Sequence, residues 1–202
     1  MCRYGTDARL AIVLRDSEGP RSFGRPRRVA DERAGARARR LALAAYGAAY
    51  GAASPRPRVS VSHTEGSAVA LVGPPDRMIG VDLAAIARVT ERHAGAVLSQ
   101  EDWTALEAVS PSLRRAMGWA LKEAAAKATG AAQHYFPTRV RLVADDTSGL
   151  PCAQLADVEH TRFESDWLVI GALLCVVVRA QARCSASALR ECTPTLVKTR
   201  SP

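Results

Sequence analysis

The chain has 202 residues, of which 48% are hydrophobic, so it can bury the core of one domain or of two small ones. Its longest apolar run, residues 168–178, is too short to cross a bilayer and too late for a signal peptide, so no membrane segment is expected. The five cysteines are odd in number, form no Cys-x-x-Cys pair and have no histidine at zinc spacing, which favours a reducing cytoplasm.

Positive charge is concentrated in the first half of the sequence. The formal net charge is +8, and residues 21–40 contain eight arginines against Asp31 and Glu32. One interpretation is a patch for phosphates or for an acidic protein. The other is a composition bias, because only three of the 28 basic residues are lysines. Nucleic-acid binding is not expected, since Phe23 is the only aromatic residue among these arginines and no zinc-finger or RNP pattern occurs.

The first part of the chain predicts a strand, a long helix and a β-hairpin. The apolar pattern indicates a strand at residues 10–14, a loop at 15–28, a helix at 29–50, and hairpin strands at 59–63 and 68–72. His63 falls at the turn end of this hairpin. Residues 73–76, Gly-Pro-Pro-Asp, then connect to the second part.

The second part predicts a strand, two helices and two further strands. They are a strand at residues 78–83 with Asp82 at its C-terminal end, a helix at 99–109, a helix from Pro111 that ends at Gly130, and strands at 139–143 and 167–178. Ser99 with an acid three residues later resembles a capping box, Ser110-Pro111 indicates the next N-cap, and Gly130 ends that helix. The last strand is apolar enough to be central in a sheet.

Residues 1–75 and 76–180 share an order of strand, helical segment and antiparallel strands. We therefore predict an α+β fold of two pseudo-symmetric halves, each an antiparallel sheet packed with a long helix. No sequence repeat supports a duplication, so this prediction depends on element order alone. Residues 181–202 are polar and without pattern, and we predict a flexible tail.

Two carboxylates and a lysine form the most informative pattern. Asp82 ends an apolar strand, while Glu123 and Lys127 lie four residues apart on one helix face. Such carboxylates can hold a hard cation, and the lysine can meet a phosphate. The alternative is that Glu123 and Lys127 pair with each other on a solvated helix, as in a generic spacer. Trp119, one turn before Glu123, favours a partly covered face.

Other patterns are less specific. Asp82 alone could be a turn residue or helix cap, and His63 alone could be a packed or solvated hairpin residue. The sequence has no Gly-x-Ser-x-Gly, P-loop or Gly-x-Gly-x-x-Gly motif, so hydrolase and nucleotide-kinase activities lack their usual support.

Three motifs together resemble the 4′-phosphopantetheinyl transferases. They are Ile-Gly-Val-Asp at residues 79–82, Trp-Ala-Leu-Lys-Glu-Ala-Ala-Ala-Lys at 119–127 closing with Ala-Thr-Gly, and Val-Ser-Val-Ser-His at 59–63. The surfactin-synthetase type is the closer resemblance, with coenzyme A in the cleft between two halves. The resemblance implies transfer of the phosphopantetheine arm of coenzyme A to a serine of an acyl or peptidyl carrier protein in fatty-acid, polyketide or non-ribosomal peptide synthesis.

The same resemblance assigns roles to particular residues. Asp82 and Glu123 would bind Mg²⁺, and Glu123, directly or through a metal-bound water, would deprotonate the carrier serine. Lys127 would stabilise or protonate the departing phosphate. The implied coenzyme A contacts are Ser62, His63, Lys122, Lys127 and, for the 3′-phosphate, Arg56 or Arg58.

One position departs from the family pattern. Many members have a second acid two residues after the aspartate, where this chain has Ala84. Water or another side chain would then complete the Mg²⁺ shell. Ala84 leaves open a non-catalytic coenzyme A or basic protein-binding module. The short holo-carrier-protein-synthase type, a trimer, is the other alternative to the expected monomer, and the length and the His63 hairpin argue against it.

Overall fold

A computed structural model describes residues 3–4, 8–14, 27–51, 56–130, 139–146, 148–156 and 161–181. Within these ranges the chain forms antiparallel strands and a small number of helices. In chain order they are β1 (Arg3–Tyr4), β2 (Ala8–Val13), α1 (Arg27–Tyr50), β3 (Arg58–Thr64), β4 (Ser67–Gly73), β5 (Arg77–Ala85), a 3₁₀ turn (Ile86–Arg88), α2 (Glu91–Val97), α3 (Gln100–Ala105), α4 (Arg114–Ala128), β6 (Val140–Ala144), β7 (Pro151–Leu155), β8 (Glu164–Ile170) and β9 (Leu173–Gln181).

The first sheet has the strand order β1-β2-β4-β3 and is antiparallel throughout. Glu65 and Gly66, both with positive φ, make the tight turn between β3 and β4. Helix α1 covers one face of this sheet. It does so through residues spaced four apart, which share one side of a helix: Ala34, Ala38, Ala42 and Tyr46.

The second sheet has the order β5-β9-β8, with β9 in the centre. Helix α4 packs across β5 and β9, and its buried residues form the largest apolar cluster together with α2, α3 and the β6-β7 pair. The described helices include none that is long and apolar enough to span a membrane.

The two sheets pack face to face between α1 and α4. Strand β4 is buried along its whole length, because Val69 and Leu71 meet the second sheet while Ala68 and Ala70 meet α1. Strand β5 alternates in the same way, so Val81 faces the first sheet. The neighbouring Asp82 therefore lies on the face of β5 that α4 covers.

The α+β prediction with antiparallel sheets is confirmed, as are the long first helix, the hairpin that carries His63, the strand that carries Asp82 and the strand at residues 139–143. The capping box at Ser99 is also confirmed, since its hydroxyl accepts from Asp102 N and the Asp102 carboxylate accepts from Ser99 N. The end of α4 at Gly130 is confirmed, and this glycine has a positive φ. Most of the predicted loop at 15–28 and all of the predicted tail except Gln181 lie outside the described residues.

Several element predictions were wrong. The single strand at residues 167–178 is two strands, β8 and β9, separated by a turn at Gly171, and only β9 is central. Helix α4 begins at Arg114 rather than at Pro111, and Leu113 is its N-cap without a side-chain hydrogen bond. Of the helix predicted at residues 99–109, only Gln100–Ala105 forms a regular helix, α3. Helix α2 and strand β7 were not predicted.

Candidate active site

A cleft of about 330 Å³ opens where the ends of β3 and β5 meet α2 and α4. Four of the residues singled out in the sequence line it: Ser62, His63, Asp82 and Glu123. The other lining residues are Thr64, Leu83, Ala84, Ala85, Arg88, Val89, His93 and Trp119. Residues far apart in the sequence thus meet because β3 lies beside β5 and α4 lies across β5.

Asp82 is the centre of a buried polar network. Its Oδ1 accepts a hydrogen bond from Ser62 Oγ at 2.8 Å and from Lys127 Nζ at 2.6 Å. Lys127 Nζ also lies 3.4 Å from Val81 O. Lys127 therefore pairs with a strand residue rather than with Glu123 of its own helix. The spacer interpretation of this helix face was wrong.

Glu123 has a raised pKa. Burial of the carboxyl raises the pKa most, the negative charge of Asp82 raises it further, and the positive charge of Lys127 lowers it. In the described part of the chain, Glu123 accepts no hydrogen bond and forms no ion pair. A half-buried carboxyl with these surroundings binds a proton more readily than a solvated glutamate, which suits it to a role as a general base.

Gly80 brings the helix close enough to assemble this site. A Cβ built at Gly80 would lie 1.9 Å from Ala124 O and 2.9 Å from Ala128 N, and both atoms belong to the backbone of α4. Only glycine fits at this contact. Glu123 and Lys127 directly precede the two contacting residues, Ala124 and Ala128. The close approach therefore holds both side chains beside β5.

Lys122 does not line the cleft. Its ammonium is buried and lies 2.6 Å from Asp102 Oδ2, and it donates to Val97 O at 2.8 Å. Asp102 Oδ1 also accepts from Leu142 N at 2.7 Å, so the pair ties α3, α4 and β6 together. The expected contact between Lys122 and a phosphate is corrected, because its ammonium is already enclosed by protein oxygens.

The two arginines suggested for the 3′-phosphate lie away from the cleft. Arg58 begins β3, five residues and about 16 Å of extended chain from His63. Its guanidinium donates to Pro75 O and lies 3.4 Å from Ala128 O. Arg56 is exposed just before it. Neither arginine lines the cleft.

Two cleft residues were missed in the sequence. His93 lies on α2, stacks edge to face on Trp119 with ring centroids 5.8 Å apart, and has Nδ1 3.1 Å from Arg88 O. Arg88 lines the cleft and forms an ion pair with Glu65 at 3.0 Å. Neither residue belongs to a motif that would identify it, and the short helix that carries His93 was itself not predicted.

The donor set fits Mg²⁺ in part. Asp82 and Glu123 both line the cleft and are electrostatically coupled, and oxygen ligands from one or two carboxylates suit this ion. Among the described residues no group of three or more histidine, cysteine or acidic side chains could hold a metal. Ala84, at the position of the usual second acid, lies in the wall of the cleft. The remaining ligands would have to be water and substrate oxygens.

Residues 78–178, half of the chain, match the 4′-phosphopantetheinyl transferase superfamily. The chain belongs to this superfamily. The matched region begins in β5 just before Asp82 and includes all of α4. A comparison with curated proteins found no match.

Proposed function

We propose that this protein transfers the 4′-phosphopantetheine arm of coenzyme A to a serine of an acyl or peptidyl carrier protein, with adenosine 3′,5′-bisphosphate as the second product. Asp82 and Glu123 both line the cleft, and Lys127, which does not line it, binds Asp82; this arrangement supports the proposal most directly. Membership of the transferase superfamily supports phosphopantetheine transfer in general.

We further propose a monomer of the surfactin-synthetase type, with residues 1–75 and 76–180 as its two halves and coenzyme A between them. Each sheet carries one long helix on its outer face, which supports this division. Gel filtration tests it. A trimer would instead favour the short holo-carrier-protein-synthase type.

The reaction exchanges one phosphorus–oxygen bond for another. The carrier serine oxygen bonds to the phosphorus that bears the pantetheine arm, and the bond from that phosphorus to the bridging oxygen breaks. Glu123 takes the serine proton, for which its raised pKa is suited. When bound by Asp82 and Glu123, Mg²⁺ supplies positive charge beside the pyrophosphate.

Lys127 stabilises the departing phosphate. An ammonium has three donors, and Asp82 Oδ1 and Val81 O account for two of them. In this proposal the third donor binds an oxygen of the leaving group. His63, exposed at the mouth of the cleft, contacts a phosphate of coenzyme A, and Arg88, which lines the cleft, replaces Arg56 and Arg58 as a further cationic contact.

The first experiment is intact-mass analysis of apo carrier proteins incubated with this protein, coenzyme A and Mg²⁺. We expect a gain of one phosphopantetheine, which EDTA abolishes. Carriers from fatty-acid, polyketide and peptide synthases should be tested in parallel, since these define the substrate range. No gain with any of them would contradict the proposal.

Ala84 favours one alternative, a non-catalytic module that binds coenzyme A. Asp82 and Glu123 are the only carboxylates that line the cleft among the described residues, and a chain that has lost catalysis could keep the binding surface. Calorimetry with coenzyme A discriminates the two functions. Binding without transfer to any carrier, at Mg²⁺ concentrations up to tens of millimolar, would favour the module.

A further inference from the structure

Strands β3 and β5 lie side by side but belong to different sheets, and no backbone ladder joins them in the described part of the chain. Two serine side chains of β3 bridge the gap instead. Ser60 Oγ accepts from Val81 N at 3.1 Å, and Ser62 Oγ donates to Asp82 Oδ1 at 2.8 Å. We call these two serines the seam serines.

The seam serines have similar surroundings but different partners. Both are 7% exposed and both point away from α1, because they alternate with Val59 and Val61, which pack toward that helix. Ser60 binds backbone only. Ser62 binds the carboxylate that the proposed function assigns to the cation.

The hydrogen bond from Ser62 engages one carboxylate oxygen of Asp82 and leaves the other without a partner among the described residues. Ser62 and Lys127 both bind Oδ1 of Asp82, whereas Oδ2 has no hydrogen-bond partner among the described residues. Two donors on one oxygen hold the carboxylate in a single orientation. The other oxygen is then left for a ligand in the cleft.

We propose that Ser62 is a positioning residue, which orients Asp82 so that Oδ2 meets the divalent cation. This inference rests on the proposed function, and it replaces the expected contact between Ser62 and a phosphate of coenzyme A. Residues that donate hydrogen bonds to metal-binding carboxylates commonly contribute strongly to metal affinity. Here the partner comes from the first sheet, so the metal site depends on how the two sheets are joined.

Mn²⁺ binding measured by electron paramagnetic resonance tests the inference without any turnover. The full chain is titrated with Mn²⁺ in the presence of coenzyme A, as wild type, Ser62→Ala and Ser60→Ala. We expect Ser62→Ala to weaken Mn²⁺ binding by about tenfold to a hundredfold. Ser60→Ala removes a hydroxyl of equal burial from the same strand and should leave Mn²⁺ affinity unchanged.

Thermal unfolding of the three proteins provides the structural control. Both variants lose one buried hydrogen bond, so both should unfold at lower temperature while remaining folded at 25 °C. Unchanged Mn²⁺ affinity in Ser62→Ala, or an equal loss in Ser60→Ala, would overturn the positioning inference alone. Wild-type protein that neither binds Mn²⁺ nor modifies a carrier would overturn the proposed function, and the inference with it.

Discussion

Asp82 and Glu123 are neighbouring carboxylates with different surroundings. Asp82 accepts from Ser62 and Lys127 at short distances, so its negative charge is compensated within the protein. Glu123 has only the long-range attraction of Lys127, which burial and the charge of Asp82 outweigh in setting its pKa. Both carboxylates are proposed to hold the cation, and the weaker compensation of its charge suits Glu123 also to accepting a proton.

Replacing Glu123 with glutamine removes this proton acceptor at nearly constant volume. We expect Glu123→Gln to slow carrier modification by at least about a hundredfold, the usual contribution of a general base. Circular dichroism should show an unchanged fold, since the side chain has no hydrogen-bond partner in the described part of the chain. Undiminished transfer in this variant would overturn the role of Glu123.

The raised pKa of Glu123 also predicts a pH dependence of stability in EDTA. The folded protein keeps the proton to higher pH than the unfolded chain, whose carboxyl titrates near 4.5. The contribution of Glu123 is therefore fully present below pH 4.5 and is lost as pH rises through the folded-state pKa. Urea unfolding from pH 4 to 8 should show a smaller decline in Glu123→Gln than in wild type. Parallel curves would contradict the prediction.

At the scale of elements, the contact between β5 and α4 determines whether the site assembles. Gly80→Ala would force a Cβ into the helix backbone at Ala124, which cannot move like the end of a flexible side chain. We expect the free energy of unfolding to fall by about 3 kcal/mol or more, measured by chemical denaturation. Gly95→Ala is the control. A Cβ at Gly95 would meet nothing within 4 Å, and alanine is the better helix former. The free energy of unfolding should therefore stay equal or rise.

The buried pair of Lys122 and Asp102 stabilises the opposite side of α4. Lys122→Met would leave the Asp102 carboxylate buried without its cation, and such losses typically lower the free energy of unfolding by about 3 to 5 kcal/mol. Arg115, on the same helix as Lys122, forms an exposed ion pair with Glu91 of α2. Arg115→Met should change the free energy of unfolding by no more than about 1 kcal/mol. Equal stability of the two variants would show that the buried pair contributes little.

Residue spacing in the sequence identified the main site residues, although it did not identify all of the helices and strands. Glu123 and Lys127 share a helix face by their spacing alone, and Asp82 follows an apolar stretch that predicts a strand, so these positions could be recognised. The strand itself continues past Asp82 to Ala85. The burial of Lys122 could not be predicted in this way. Its partner Asp102 lies in a capping box, and the ion pair that Asp102 also forms with Lys122 depends on tertiary packing.

The element errors have local causes. Helix α2 has seven residues, of which only Ala94 is buried, so it shows no apolar periodicity. Gly171 divides an apolar run that reads as one strand, and its positive φ makes the turn between β8 and β9. The pairing of β3 with β5 through serine hydroxyls has no sequence signature, because alternating serines are also usual on a solvated strand face.

At the scale of the whole molecule, part of the basic charge lies on the outer side of α1. Arg33, Arg37 and Arg40 are exposed and spaced so that they share one side of the helix, which we call the arginine face. None of them forms an ion pair among the described residues. The opposite side of α1 packs on the first sheet, and Gly35 lies close to the ring of His63 near the cleft. The arginine face can therefore attract an anionic partner toward the cleft without taking part in the reaction.

Neutralising the arginine face distinguishes this electrostatic attraction from a composition bias. We expect the triple arginine-to-glutamine variant to lower kcat/KM for the carrier severalfold at low salt, with kcat unchanged, because long-range attraction raises the encounter rate. The difference should vanish near 0.5 M salt, where the Debye length is only about 4 Å. The charge-matched control carries Arg115→Gln, Arg139→Gln and Arg141→Gln on the second half of the chain, all at exposed positions. An equal loss of kcat/KM in both variants would show that the attraction depends on net charge rather than on the arginine face. No loss in either variant would favour the interpretation that these arginines reflect a composition bias.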